Sequence, residues 1–202
     1  MIACEYRIFR LIPFTGMEYF ITTERLGFCL WRQDDLPLAM ALWGDAEVSA
    51  LIGGPFTVDQ VRSRLDCEIA QMHVSGMQYW PLFSLEDDEF VGCAGLRPKS
   101  LEKAQLFHLK RGADGMCGDP RVLELGYLLL RAHRGRGLAC EASRAAIEYG
   151  FGTLNADAIF AGHHPANEAS KRVLLKLGFK SAGDEFYPPT GMFEPTYLLH
   201  KS

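Results

Sequence analysis

Apolar positions along this chain recur at two spacings, period two and period three to four, and the segments they mark interleave. Residues 21–30 alternate, which predicts a strand ending in the turn-rich run Arg32-Gln33-Asp34-Asp35. Asp34 or Asp35 is placed to cap a short helix reaching Trp43, since a carboxylate accepts hydrogen bonds from the free amides of a first turn. Thr57 and Gln60 make a capping-box pattern, and Val61, Leu65, Ile69 and Met72 follow at helical spacing. Residues 79–85 and 90–96 are apolar runs joined by Glu86-Asp87-Asp88-Glu89, the pattern of a hairpin. Residues 97–120 read as irregular or partly structured. A nearly continuous apolar strand over 122–130 then passes through a Gly- and Arg-rich turn, 131–137, into a helical pattern over 138–149. A short strand over 158–161 and a helix over 167–177 follow, with Gly178 suited to the helix C-cap. Residues 179–180 and 196–199 close the series as strands. Such an order wraps helices around one central sheet, an α+β or α/β arrangement.

Length adds that this is one domain: 202 residues build one full core but not two. The opening segment, Met1–Gly16, looks unlike the rest, either as an appendage from an upstream start codon or as an extra strand. The division we expect is an N-terminal extension over residues 1–20 and a domain over 21–202. Glu5, Arg7 and Arg10 interrupt the apolar start, so it does not read as a signal peptide. No apolar run reaches the roughly 18 residues of a membrane span.

A net charge of −4 speaks against nucleic-acid binding through a basic surface. Cys4, Cys29, Cys67, Cys93, Cys117 and Cys140 are scattered, with neither a C-x-x-C pair nor zinc-finger spacing. No metal site is expected, and free thiols in a reducing cytoplasm are the simplest reading.

The informative chemistry lies in the turn between residues 131 and 137. Gly135 and Gly137 remove side chains where backbone amides must approach a ligand, and the following helix start gathers unpaired N–H groups at one spot. That arrangement holds an anion, typically phosphate. Arg134 and Arg136 add positive charge, or form a solvated basic turn. There is no G-x-x-x-x-G-K-[ST], and Cys140 stands where a dinucleotide fingerprint would require Gly or Ala.

A second segment, Asn167-Glu-Ala-Ser170, running on to Lys176-Leu-Gly178-Phe179, lies about thirty residues further along. Together with Thr23-Glu24-Arg25-Leu26, Trp43-Gly-Asp45 and Gly95-Leu-Arg97-Pro98, the two segments resemble the GNAT superfamily of N-acetyltransferases, in its RimJ/RimL-like branch. The resemblance covers about residues 21–199. It implies a single domain with a central mixed, mostly antiparallel sheet flanked by helices. It also implies acetyl-CoA as cosubstrate, with its pyrophosphate on Arg134, Gly135, Arg136, Gly137, Leu138 and Ala139, its pantetheine arm on the backbone of Leu128, Leu129 and Leu130, and a contact from Asn167. Asn167 is alternatively the N-cap of its own helix, or both. Two departures from the family pattern stand out. Ala132 replaces the usual Gln or Arg at the head of the loop, and Leu174 occupies the position of the tyrosine general acid of many members.

Acetyl transfer to an amine needs a base for the ammonium proton, donors for the oxyanion and a proton for the leaving thiolate. By the resemblance Glu124 is the base, or else a strand-edge glutamate paired with Arg or Lys; Glu185 and Glu194 are weaker candidates. Ser170 is the proton donor or relay, or else a capping serine. His163 and His164 would point to opposite sides of a strand end, which disfavours a shared metal. His133 reads as exposed, Trp31, Trp43 and Trp80 as core or cleft wall, and Cys140 as a small buried residue. The acceptor is expected to be a protein N-terminal amine or a small amine, and homodimers are common in the family. A non-catalytic acyl-CoA-binding sensor or interaction domain is the alternative.

Overall fold

The structure, a computed structural model, describes residues 18–101 and 120–201. Eight strands form one sheet: β1 (Ile21–Thr22), β2 (Leu26–Phe28), β3 (Tyr79–Ser84), β4 (Phe90–Pro98), β5 (Val122–Leu129), β6 (Ala158–Gly162), β7 (Lys180–Tyr187) and β8 (Met192–His200). Their order is β1-β2-β3-β4-β5-β6-β8-β7, antiparallel throughout except for the β5–β6 pair. The mixed, mostly antiparallel sheet of a single α+β domain is therefore present.

Side-chain alternation along β5 sorts the two layers that cover this sheet. Its odd positions, Leu123, Leu125 and Leu129, join a core with Leu138, Ala142 and Ala146 of α4 (Leu138–Gly152) and Leu174 of α5 (Glu168–Lys176). Leu128, and Leu130 just past the strand end, pack on the other face with Trp31, Trp43, Val61 and Leu65. That second layer is built by α1 (Leu36–Ala39), α2 (Ala46–Ser49) and α3 (Val58–Ser75). Each apolar side chain fully buried in these layers contributes about 1.5–3 kcal/mol, so both faces are held firmly against the strand.

Local sequence rules explain most element ends. Thr57 and Gln60 form the capping box: the Thr57 Oγ1 accepts from the Gln60 amide (3.4 Å), and the Gln60 side chain accepts from the Thr57 amide (2.9 Å). Gly178, at φ +90°, follows the C-cap of α5.

Other expectations are corrected. The strand expected over 21–30 is two short strands, β1 and β2, broken at residues 23–25, where Thr23 bonds Leu26 instead of continuing the ladder. Neither Asp34 nor Asp35 caps α1; the Asp35 carboxylate turns back to accept from the Arg32 amide (2.8 Å), and Pro37 stands in the first turn. The helix then passes through a π turn over Met40–Gly44. The closing strands are far longer than expected, because β7 and β8 pair from Lys180↔Leu198 out to Tyr187↔Met192.

The irregular stretch expected over 97–120 falls partly on residues 102–119, outside the described residues, but its start belongs to β4. The N-terminal extension likewise falls on residues 1–17, outside the described residues, except for its last three. Of those, Phe20 already packs edge-on against Trp80, with ring centroids 5.3 Å apart, and Tyr19 bonds Asp88 (2.8 Å).

Candidate active site

The parallel pair is incomplete, and the site lies where it stops. β5 and β6 pair only over Val122↔Ala158, Leu123↔Ile159 and Glu124↔Phe160. Beyond Glu124, β6 stays with β8 while β5 stays with β4, so the two strands part like a fork. A cavity of about 540 Å³ fills the fork and is lined from both faces of the sheet, by Trp43, Val48 and Arg64 on one side and Leu138, Asn167 and Ser170 on the other.

The register decides which backbone groups face this opening. The Leu130 amide donates to the Val91 carbonyl (3.0 Å). In an antiparallel ladder the bonding direction alternates, so Leu130, Leu128 and Gly126 turn their backbone to β4, and Leu129, Tyr127 and Leu125 turn theirs to the fork. Of the three residues named for the pantetheine arm, only Leu129 presents its backbone there. Its carbonyl accepts from Arg134 Nε (3.0 Å). Leu128 lines the cavity through its side, and Leu130 is not among the lining residues.

At the end of β5 the chain makes a 3-10 turn over Arg131–His133 and reaches the glycine loop. Gly135 (φ +76°) and Gly137 (φ +80°) both occupy the left-handed region, where a side chain would be strained. Gly137 is the N-cap of α4, and no side chain caps the helix. Its first helical bond runs from the Glu141 amide to the Gly137 carbonyl (3.1 Å). The amides of Leu138, Ala139 and Cys140 therefore precede any intrahelical partner, an arrangement that donates to an anion.

The loop is braced from a distance. Glu141 accepts from Thr23 Oγ1 (2.6 Å), from the Arg25 amide (2.9 Å) and from Arg25 Nε (2.7 Å), while Arg25 Nη1 donates to the Arg136 carbonyl (3.0 Å). Arg136 itself is exposed and does not line the cavity; its carbonyl, not its charge, ties it to the site. Arg134 lines the cavity but spends one donor on Leu129.

Glu124 sits at the tine of the fork. As an even position it shares the α1–α3 face, and among the described residues no hydrogen bond or ion pair holds its carboxylate. Burial pushes its carboxyl above the usual range; Lys99 and Arg97 pull it back, and Glu185 pushes it further up. Lys99 is committed to Glu185 (2.6 Å), and Arg97 to the buried Glu68. The strand-edge reading, a glutamate neutralised by a direct partner, is thus not what the geometry shows.

Three residues on, and so on the opposite face, is Tyr127. Its hydroxyl lies 2.8 Å from Ser170 Oγ, and burial raises the phenol pKa to about 12 against the opposing effect of that hydrogen bond. Ser170 in turn donates its amide to Asn167 Oδ1 (3.0 Å), which makes Asn167 the N-cap of α5. Asn167 also lines the cavity, so the N-cap expected of it is present at a position beside the opening.

The Acetyltransferase (GNAT) domain profile matches residues 25–180 of this chain. The chain belongs to the GNAT family of acetyltransferases. It is 30% identical over 164 residues to the uncharacterized N-acetyltransferase p20 of Bacillus licheniformis, covering 80% of this chain and 82% of that one. The [Ribosomal protein uS5]-alanine N-acetyltransferase of Escherichia coli is 30% identical over 116 residues, 57% of this chain and 52% of its own. In fold the chain is similar to RimL, a ribosomal L7/L12 alpha-N-protein acetyltransferase solved in complex with coenzyme A, with a TM-score of 0.66 and 16% identity over 91% of this chain and 98% of that one. The resemblance to the RimJ/RimL-like branch thus holds in sequence and in fold.

As a GNAT member the chain is an acetyl-CoA-dependent N-acetyltransferase, and its residues fit that cosubstrate. The uncapped helix start and the two left-handed glycines leave a cradle of amides, and nothing lies within 4 Å of where a Cβ on Gly135 would stand.

Sequence reasoning missed Tyr127. The family's usual tyrosine position, Leu174, is fully buried in the core, whereas a phenol from β5 reaches the helix serine instead. The signal was present in the odd spacing of 124 and 127, which sets the two side chains on opposite faces. Arg64 was missed too. It lines the cavity from α3, and no motif marks it. His133, expected exposed, is buried (7%). His163 is buried against Tyr197, with Nε2 3.2 Å from its hydroxyl, and His164 Nδ1 accepts from the Ala166 amide; no metal-binding group is present among the described residues. No helix among the described residues is long and apolar enough to cross a membrane.

Proposed function

We propose that a primary amine, either a protein N-terminus or a small molecule, attacks the acetyl thioester at the fork, with Glu124 as general base and the Tyr127–Ser170 pair as proton donor. The observation that carries this reading is the placement of Glu124 and Tyr127 on opposite faces of β5, at the point where it parts from β6. The amine then approaches from the α1–α3 face and loses its proton to Glu124 as the N–C bond forms. The C–S bond breaks toward the α4 face, where the Tyr127 hydroxyl, protonated at neutral pH as any phenol is, gives its proton to the sulfur and recovers one through Ser170. A carboxylate whose pKa lies above the usual range is a better match for this proton than an exposed one.

The test is the pH profile of kcat/KM for Glu124→Gln, followed through thiol release. A base acts when deprotonated, so in the intact protein the rate climbs as pH rises through the elevated Glu124 pKa. We expect the variant to lose about 10²–10⁴-fold in rate and to lose that inflection, with coenzyme A affinity kept. An unchanged rate and inflection would move the base elsewhere, with Glu194 next in line. Its carboxyl is also raised by burial and sits close enough to Glu124 to feel its charge.

A further inference from the structure

Most charges around the α1–α3 end of the cavity cancel within the protein. Glu47 pairs with Arg131 (2.8 Å), Glu185 with Lys99 (2.6 Å), and Glu68 with Arg97. Arg134 is at the other end, bonded to Leu129. Among the described residues, what remains facing this end without an ion-pair partner is Glu124, Glu194 and the cation Arg64.

Arg64 is held unusually for an arginine. Its guanidinium lies over the ring of Trp43 (4.9 Å) and beside that of Phe56 (5.5 Å). Among the described residues no carboxylate is within ion-pair distance of it, and its buried Nε has no hydrogen-bond partner. Ring faces fix the plane of a guanidinium without using its N–H donors, so the donor fork stays available to a ligand. The Tyr187 phenol lies between the two signs of charge: Arg64 lowers its pKa and Glu124 raises it, beneath a larger effect of burial. One end of the cavity thus offers both a cation and carboxylates, within reach of the same phenol.

We propose that Arg64 selects the acceptor, and that the amine acetylated here carries a carboxylate which Arg64 grips while the amino group is delivered to Glu124. A planar fork of donors suits a carboxylate better than any neutral group. The apolar wall of Trp43 and Val48 beside it suits a short carbon chain between the two charged ends. This rests on the amine site proposed above and names the class of molecule that fills it. The carboxylate belongs to a free amino acid or to an acidic residue near a peptide N-terminus; the chemistry is the same and the test separates the sources.

The experiment measures acetyl-CoA-dependent thiol release with matched pairs. α- and ω-amino acids are set against amines of equal chain length lacking the carboxylate, and peptides with Asp in second position against those with Ala. We expect the carboxylate-bearing member of one series to be preferred by about tenfold or more in kcat/KM. Arg64→Gln should abolish that preference through KM rather than kcat, and Arg64→Lys should retain part of it. Preference among free amino acids identifies a small zwitterion; preference only among peptides identifies a protein terminus. Calorimetric binding of coenzyme A to each variant reports that it is folded. Equal use of both members of every pair, or an equal loss on both in Arg64→Gln, overturns the role of Arg64 while leaving the amine site standing. No turnover of any amine by a protein that binds coenzyme A overturns both.

Discussion

The two ends of the cavity are made of different material. At the loop end the groups on offer are backbone: amides of Leu138, Ala139 and Cys140 presented by two glycines in left-handed conformation. At the far end they are side chains, Arg64 from α3, Glu124 from β5, Tyr187 from β7 and Glu194 from β8, drawn from four elements. A backbone site tolerates almost any neighbour but depends on the few residues that let the chain bend. A side-chain site can be rewritten one residue at a time while the fold stands. Fixed donor chemistry at one end and variable selection at the other is the division that a shared cosubstrate and differing acceptors require.

If that contrast is right, the largest effect comes from the backbone end. Gly135→Glu together with Gly137→Glu forces side chains into the left-handed region and puts carboxylates where a phosphate would bind. We expect coenzyme A affinity by calorimetry to fall about a hundredfold or more, from like-charge repulsion and loss of the helix-start contact. Retained affinity would break the comparison outright.

A middling effect belongs to the hydroxyl pair between the two ends. Tyr127→Phe and Ser170→Ala should each lower kcat by about ten- to a hundredfold with little change in coenzyme A binding. On the proposal that the two hydroxyls act as one donor, the double variant should lose little beyond the worse single one. Strict additivity in that cycle would separate them.

The smallest effect should come from the brace. Burial alone would raise the Glu141 carboxyl, but hydrogen bonds from Thr23 and Arg25 and the Arg25 charge outweigh it and hold the pKa below the ordinary value. A depressed carboxylate pKa contributes stability above the unfolded value near 4.3, and that contribution fades as pH falls through the folded one. Arg25 is substantially exposed, so solvent screens the pair. Glu141→Gln should cost about 1 kcal/mol at neutral pH in denaturant melts, and the gap from the parent should narrow below about pH 4.

How much of this the sequence carried follows the same division. The glycine loop, the Asn167–Ser170 turn and the alternation of β5 are local, and each could be read from neighbouring residues. Thr23-Glu24-Arg25-Leu26 could be recognised as a pattern, but its purpose could not. Its partner Glu141 lies 116 residues from Arg25, and only the fold brings the two together. Arg64 was hidden by packing and not by distance, since its unspent donors are visible only once Trp43 and Phe56 lie against it. Tyr127 was hidden differently, since β5 reads as a run of apolar residues with a phenol taken for packing. His133 was misjudged because a polar residue beside a basic loop looks solvated until the turn folds it inward.

The fork between β5 and β6 has one more consequence. A strand released from its neighbour in mid-sheet is an edge, and open edges invite other strands to dock and aggregate. Here layers on both faces cover the gap, with Trp43 and Val48 on one side and Leu138 and Ser170 on the other, so the open edge is not presented to the surface as a flat ribbon. The cover over the opening protects the domain from its own unfinished sheet.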